Sequence, residues 1–600
     1  MDVARLPSSN RAWKSLCNIV DHSGIFDSES RQPYSRCMEN TRVTLRKRIT
    51  QVLDQHDVHT NIWLNGVAGV GKTSVAFTVA EEMKVAQRLV GTFFFSHKHL
   101  QKAADIIPTI AYQLALAFPC VQDDIVKAIE NDDSLLSPGK SHADQMRELV
   151  IKPLQKLQFR QEPRVIIIDA LDECLPLEEA KRLITLLTDA LADPDLPVIH
   201  VIFTSRPKEC IRTIMPSGVH EIILTTGDED TVRDIRSFLR ASLDKIRTIH
   251  PAVLSQSLPD PWPLEVEFET LVFKAGGLFV YAVMAINFIS TAGHHPQERL
   301  DVLLREKSTV GADIDQLYRQ IIATSEDPLA HCRMLASIIN LSKPLSLAAL
   351  QDLFNADVQS LAATLEAFSP FILNDGVGNV EIYHSSLRDF MSDPLRSKQY
   401  HIDVAHAHEH LASCCLDSFL RQSSSSDHYP YLAWDRHIYM AHPSSKLRNL
   451  LALFADKVLR YWVQAARDGQ FHVRSSALFE VTEACFTLEW IKGPSDLVTA
   501  RRIRKACMEI DRIRGTRGQS YFRILFNRMR WKFWNPWPWR YRDTWRHKTP
   551  SGYRYDVGLI WDSLFRGLFP CIMAAFFWEN SWTFWHFLRL FFFISIMLFK

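Results

Sequence analysis

The sequence predicts a parallel, three-layer α/β core, followed by helical and winged-helix domains and a mostly α C-terminal region. Three observations carry that prediction. Residues 164–169 (RVIIID) and 197–205 (PVIHVIFTS) are continuous apolar runs, the pattern of strands buried on both faces. They alternate with segments of helical period over 72–86, 106–118 and 177–191, so the strands can lie parallel with helices as crossovers. Between the short apolar segment Asn61-Ile-Trp-Leu64 and the first of those helices stands Gly66-Val-Ala-Gly-Val-Gly71-Lys72-Thr73, which fits G-x-x-x-x-G-K-[ST] in the strand–turn–helix context the motif requires. The core is therefore of P-loop NTPase type.

Composition sets the outer limits. Six hundred residues exceed one core, and about 150 residues per domain gives roughly four units. A hydrophobic share of 47% and a charged share of 23% exclude whole-chain disorder, collagen and coiled coil. Eleven cysteines without a C-x-x-C pair are too few for a disulfide scaffold, and MDVARLPSSNRAWKSL has no apolar signal core, so the expected compartment is cytoplasmic. The net charge of +1 conceals an asymmetry: residues 501–556 hold sixteen Lys/Arg against four Asp/Glu, while the first 500 residues sum to −12. An acidic body gives no electrostatic reason to expect nucleic acid there.

Element by element, residues 1–36 read as a polar, weakly patterned segment. Residues 37–59 form a lead-in whose helix, 41–56, is amphipathic through Val43, Leu45, Ile49, Val52 and Leu53. The nucleotide-binding domain runs over 60–225, with a further strand at 92–96 (TFFFS). A helical domain follows over 226–325, interrupted by the Pro-rich 258–266. Residues 326–400 read as winged helix: two short helices, about 346–354 and 358–368, then two β-like runs around Asn374-Asp-Gly, a hairpin signal. Residues 401–528 are helical, and 529–600 form a basic, Trp-rich and apolar tail. No internal repeat of 20–50 residues is visible.

The chemistry of the motif follows from its residue types. Gly66, Gly69 and Gly71 let the backbone turn tightly, so that several N–H groups converge on one anion at a helix N-terminus. Lys72 can reach the β- and γ-phosphates, Thr73 can ligate Mg²⁺, and Ser74 adds to the nucleotide-binding turn. A second motif, Ile166-Ile-Ile-Asp169-Ala-Leu-Asp172-Glu173, ends a strand in Asp169 beside the Mg²⁺ shell. Asp172 or Glu173 can orient or deprotonate water; helix capping is the equal alternative for each. Arg206 closes the neighbouring strand in Phe203-Thr-Ser-Arg206-Pro and can sense the γ-phosphate or sit in a structural ion pair.

These motifs, with IIPTIAYQLALAF, AGGLFVYAVMAI and the lead-in Cys37-Met-Glu-Asn-Thr41-Arg42, resemble NACHT-domain proteins of the STAND class of P-loop NTPases, and most nearly the fungal type with a nephrocystin-3-like NACHT region. The resemblance covers about residues 35–400. It implies ATP or ADP with Mg²⁺ held by Gly71, Lys72, Thr73, Asp169 and Arg206. It also implies a signalling switch of the innate-immunity or programmed-cell-death kind, closed with ADP and self-associating with ATP, with slow hydrolysis. His384, in Ile382-Tyr-His-Ser-Ser, would then donate to the ADP β-phosphate; the plain alternative is a hydrogen-bonded histidine at a hairpin end. No N-K-x-D motif is present, which favours adenine over guanine.

The sensor repeats usual in that family are not visible, which leaves the stimulus and the effector open. A catalytically weak nucleotide-binding scaffold and a remodelling ATPase stand as alternatives. His406, His410 and Cys414 share one helix face but lack the H-E-x-x-H order of a zinc enzyme, and a core or surface histidine face is the preferred reading. Helix 358–368 carries only Glu366 as charge, so no direct DNA binding is expected. Nine of the fifteen Trp lie between 531 and 585, interleaved with Arg and Lys and followed by apolar runs, so 529–600 is expected to contact membrane as an interfacial or tail-anchored segment, with a buried helix as the equal alternative.

Overall fold

A computed structural model describes residues 8–513, except 32–35, 57–58, 97–102, 138–139, 158–161, 175–176, 194, 217, 250–261, 306–312, 375–377, 422–427 and 468–489. The tail 529–600, with its expected membrane contact, lies outside the described residues. Among those that are described, no single helix is long and apolar enough to cross a bilayer.

Five parallel strands form the central sheet: β1 (Asn61–Gly66), β2 (Leu89–Phe94), β3 (Arg164–Asp169), β4 (Ile199–Ser205) and β5 (His220–Leu224), in the order β2-β3-β4-β1-β5. β4 pairs with β1 from Asn61↔Val201 to Asn65↔Ser205, and with β3 from Arg164↔Ile199 to Ile168↔Phe203. The C-terminal ends of β1, β4 and β3 therefore lie side by side. β5, which carries only a short apolar stretch, is the strand that sequence reading did not single out.

The continuous apolar runs are explained by the two faces they serve. In β3, Val165 and Ile167 enter one core while Ile166 and Ile168 enter the other. In β1, Ile62 and Leu64 face the first core and Trp63 the second. Side chains alternate with period two, so a strand covered on both sides must be apolar at every position.

The second face is closed by helices Ile106–Ala117, Gln122–Asn131 and Leu177–Leu191, and by an element the sequence reading passed over. Within residues 1–36, expected as a polar segment, Ser8–Ile19 is a helix whose Ala12 and Leu16, with Val20 just beyond it, are buried in this core. Their spacing of four places them on one stripe, and Trp13 stacks on Tyr112 at 5.5 Å. The polar composition hid a short amphipathic element.

On the first face, the apolar core continues without a break into helices Glu229–Ile249, Glu265–Ala275, Phe279–Ile289, Pro296–Leu304, Ile314–Ala323 and Pro328–Ile339, and on to Phe371, Ile382 and Phe390. The helix–helix–hairpin order appears as Leu347–Phe354, Val358–Ala367, β7 (Ile372–Asn374) and β8 (Asn379–Ile382). A two-residue strand, β6 (Leu345–Ser346), pairs with β8 to give an antiparallel sheet in the order β6-β8-β7.

A third core joins Leu347–Phe354 to helices Val404–Arg421, Tyr429–Met440, Ser445–Lys457, Leu459–Arg467 and Pro494–Ile513, with Trp434 edge-on to Trp462 at 5.4 Å. Inside it runs a buried polar chain: His408 Nδ1 to His437 Nδ1 at 2.8 Å, His437 Nε2 to the Tyr429 hydroxyl at 2.8 Å, and the Ser342 amide donating to that hydroxyl at 2.9 Å. Two imidazolium rings would set donor against donor at the Nδ1–Nδ1 contact, so the chain needs at least one ring uncharged. Burial, then Arg436, pushes His408 down to about 4; burial and His408 hold His437 well below its ordinary range.

Both histidines charge more readily when unfolded, so their contribution is complete above about pH 6.5 and is lost as pH falls toward 4, on the order of 3 kcal/mol for His408. Thermal unfolding between pH 7.5 and 4.5 should show that decline. A His408→Gln/His437→Gln variant should be less stable at pH 7.5 and flatter below pH 6.5. Equal slopes would remove the pair as the cause.

Candidate functional site

The glycine-rich loop joins β1 to helix Lys72–Val85, and two neighbours hold it. Gly69 (φ +83°) and Gly71 (φ +96°) lie in the left-handed region, where a side chain is strained. The Gly69 carbonyl accepts the Val280 amide at 3.1 Å, and a Cβ at Gly69 would sit 2.2 Å from Val280 Cγ1. Helix Phe279–Ile289 thus touches the tip of the loop. Arg42 is the second tie: its guanidinium donates to the Val70 carbonyl and to Thr231 Oγ1, each at 2.6 Å, and lies over the Phe279 ring. Its own backbone is left-handed, and its amide is held by Asp234 at 2.9 Å.

Gly66 requires a correction. It has no positive φ and does not serve the tight turn; a Cβ there would meet the Leu224 carbonyl at 2.7 Å. Close approach of β5 requires the glycine.

Asp169, buried at the end of β3, accepts from Thr73 Oγ1 at 2.9 Å and from Thr204 Oγ1 at 2.5 Å. Thr204 Oγ1 also accepts the Ala170 amide at 2.9 Å, which holds Ala170 in its left-handed turn. Burial raises the Asp169 pKa against the lowering effect of both hydroxyls. The Thr73 and Asp169 oxygens lie 2.9 Å apart, close to the spacing of neighbouring ligands on an octahedral ion with bonds of about 2.1 Å. This donor set of hydroxyl and carboxylate fits Mg²⁺.

Lys72 Nζ donates to the Gly66 and Val67 carbonyls at 2.8 and 3.0 Å. Burial pushes its pKa down to about 8, opposed by Asp172 and Asp169. Arg31 reaches the same region from the N-terminal segment, with Nε on the Ser23 carbonyl at 2.7 Å and its guanidinium on the Phe94 carbonyl. Burial brings it down to about 10, offset first by Asp169.

Arg206 bridges two parts of the chain. Its amide donates to Asp172 Oδ1 at 3.1 Å and its Nε lies 3.4 Å from Oδ2; its Nη1 donates to Asp389 at 2.5 Å, and its Nη2 lies 3.4 Å from Ser385 Oγ. Lys208 also reaches Asp172, at 3.4 Å. Asp172 thus lies against two cations, and both Asp172 and Glu173 line the cavity. His384 Nδ1 accepts from the Ser386 amide at 3.1 Å and lies 2.7 Å from Ser386 Oγ, which is 2.7 Å from the Tyr318 hydroxyl. That places the proton of a neutral imidazole on Nε2, as a donor.

A cavity of about 630 Å³ gathers these groups, a size suited to a small-molecule cofactor. It is lined by Gly69, Gly71, Lys72, Thr73, Ser74, Asp169, Asp172, Glu173 and Arg206 of the core, and by His384, Ser385 and Arg388 from beyond the hairpin. Phe238, Phe279 and Val283 add an apolar wall. Sequence reading left Thr204, Ser385, Asp389, Arg31 and Arg388 unassigned. Arg42 stands in the sequence only as part of the lead-in Cys37-Met-Glu-Asn-Thr41-Arg42.

With β4 between the loop strand β1 and the acidic strand β3, the phosphate loop, the carboxylate and Arg206 meet at one sheet edge. The core is a P-loop NTPase fold. Residues 41–206 match the family model for the nephrocystin 3 N-terminal region. No curated protein matches the sequence. Solved structures share low similarity. The Walker-type ATPase of Pyrococcus abyssi is 14% identical, with 60% of this chain and 95% of that one covered and a TM-score of 0.30. For Aeropyrum pernix ORC1 in complex with DNA, identity is 13%, coverage 62% and 94%, and TM-score 0.30. Cdc6p from Pyrobaculum aerophilum gives 13%, 63%, 98% and 0.28. Strand order and loop geometry, not these scores, carry the fold assignment.

Gly69→Ala should destabilise the protein by about 1–3 kcal/mol, from its positive φ and the overlap with Val280. Val280→Ala in the same chain should recover part of that loss. Denaturant midpoints for the single and double variants check this; no recovery would mean that φ alone sets the cost.

Proposed function

We propose that this protein is a nucleotide-dependent switch of NACHT and STAND type, which binds ADP or ATP with Mg²⁺, hydrolyses slowly and self-associates in its ATP form. The observation that carries the reading is Arg206. It ends a core strand at the phosphate loop, yet pairs with Asp389 and approaches Ser385 from the segment after the hairpin. A γ-phosphate competes with Asp389 for this guanidinium, which gives the two nucleotides different energies in the two states, as a switch requires.

The other residues take consistent roles. Lys72 exchanges the Gly66 and Val67 carbonyls for the β- and γ-phosphates. Thr73 and Asp169 hold Mg²⁺, which neutralises phosphate charge. Backbone amides at Gly71 to Ser74 meet phosphate at the helix N-terminus. His384 donates from Nε2 to the β-phosphate. Phe238, Phe279 and Val283 suit an adenine ring. Glu173 is the carboxylate that orients water. The commitment of Asp172 to two cations also suits a second reading, a nucleotide-binding scaffold without useful turnover.

Full-length protein should release ADP on denaturation, identified by chromatography, and Lys72→Ala should release none. Nucleotide bound equally by that variant would remove the phosphate-loop assignment. Glu173→Gln should keep ATP binding and lose hydrolysis; the same low turnover in wild type and variant would favour the scaffold. Asp389→Asn should weaken the closed form by on the order of 1 kcal/mol, about a fivefold shift. Light scattering in ADP should then show larger species, and unchanged profiles would leave the Arg206–Asp389 pair purely structural.

A further inference from the structure

Asp403, His406 and His442 lie at the surface, apart from the nucleotide site, with three ligand atoms within 4.8 Å of one another. Asp403 precedes helix Val404–Arg421 and acts as its cap. Its carbonyl accepts the His406 and Ala407 amides at 3.0 and 3.1 Å, and its Oδ1 accepts the Ala405 amide at 3.0 Å. The cap occupies Oδ1 and leaves Oδ2 directed at two imidazoles, 3.2 Å from His442 Nε2 and 3.5 Å from His406 Nδ1. The histidine rings lie 5.2 Å apart, inclined by 61°.

We propose that Asp403, His406 and His442 form a binding site for a divalent transition metal of the zinc class, with water completing the coordination. Tetrahedral zinc with bonds of about 2.0–2.1 Å separates its ligands by about 3.3–3.5 Å, and both Asp–His distances fall close to that range. Two imidazole nitrogens select zinc and its transition-metal neighbours over Mg²⁺, which prefers oxygen. The helix cap orients the carboxylate before metal arrives, the task an outer-shell partner performs in metal sites.

The face that suggested metal in the sequence divides in the structure. His410 bonds Ser337 Oγ at 2.9 Å and lies 3.6 Å from the buried Cys414, while His406 on the first turn is directed at Asp403 Oδ2. His442 follows helix Tyr429–Met440, so the ion would fasten the start of one helix to the connection after the next. This site is independent of the nucleotide reading.

Full-length protein saturated with Mg²⁺ and ADP is titrated with Zn²⁺ against a chromophoric chelator. Wild type should bind one more equivalent than a His406→Ala/His442→Ala variant. Each single substitution should weaken that equivalent on the order of 100-fold or more, and added Mg²⁺ should not displace it. Zinc should raise the Tm of wild type and not that of the double variant. Cobalt should give wild type a visible ligand-field band without thiolate charge transfer, absent from the double variant. Both histidines are exposed, so metal-free Tm should be unchanged by substitution. Equal zinc stoichiometry and affinity in all chains, with no cobalt difference, would overturn the site and leave Asp403 as a hydrogen-bond acceptor for two imidazoles.

Discussion

A carboxylate taken out of water at the end of β3 organises the centre of this molecule. Asp169 accepts from two neutral hydroxyls and lies near the Arg31 and Lys72 cations, yet burial still raises its pKa. A buried anion in that condition favours a nearby cation. Its partners also fix the surroundings: Thr73 begins the helix after the glycine loop, and Thr204 holds the left-handed Ala170 turn that leads to Asp172 and Glu173. One buried group therefore sets the relation among three strand ends.

Around this centre, packed contacts hold the glycine loop. Val280 meets the tip of the glycine loop, Arg42 holds the next carbonyl, and Phe279 lies beneath the Arg42 guanidinium. Any movement of the loop is felt directly by helix Phe279–Ile289, whose apolar face belongs to the same core as Phe371 and Phe390. Coupling through contiguous packed elements needs no long relay.

The parts of the fold legible in sequence were those whose signal is local. Continuous apolar runs marked β3 and β4 because each face of the sheet demands an apolar side chain. The glycine loop and Asp169 were legible because phosphate and Mg²⁺ chemistry dictates residue type and spacing. What escaped depends on distant partners. Nothing near Asp389 or Ser385 indicates that they meet Arg206, some 180 residues away. Gly66 looks like a turn residue until β5 is placed beside it, and Ser8–Ile19 shows its stripe only when a core is there to receive Ala12 and Leu16. The meeting of Asp172 with Arg206 and Lys208 likewise depends on β3 and β4 lying side by side.

The strand order also has a consequence for how the chain is made. β1 carries the phosphate loop, yet its neighbours β4 and β5 lie more than 130 residues further along. On a ribosome adding about 5–20 residues per second, β1 waits on the order of 10 s with both hydrogen-bonding edges unpartnered. The most chemically important strand is thus the one longest exposed to wrong pairing, and nascent chains halted between residues 70 and 200 are the species most in need of protection from one another.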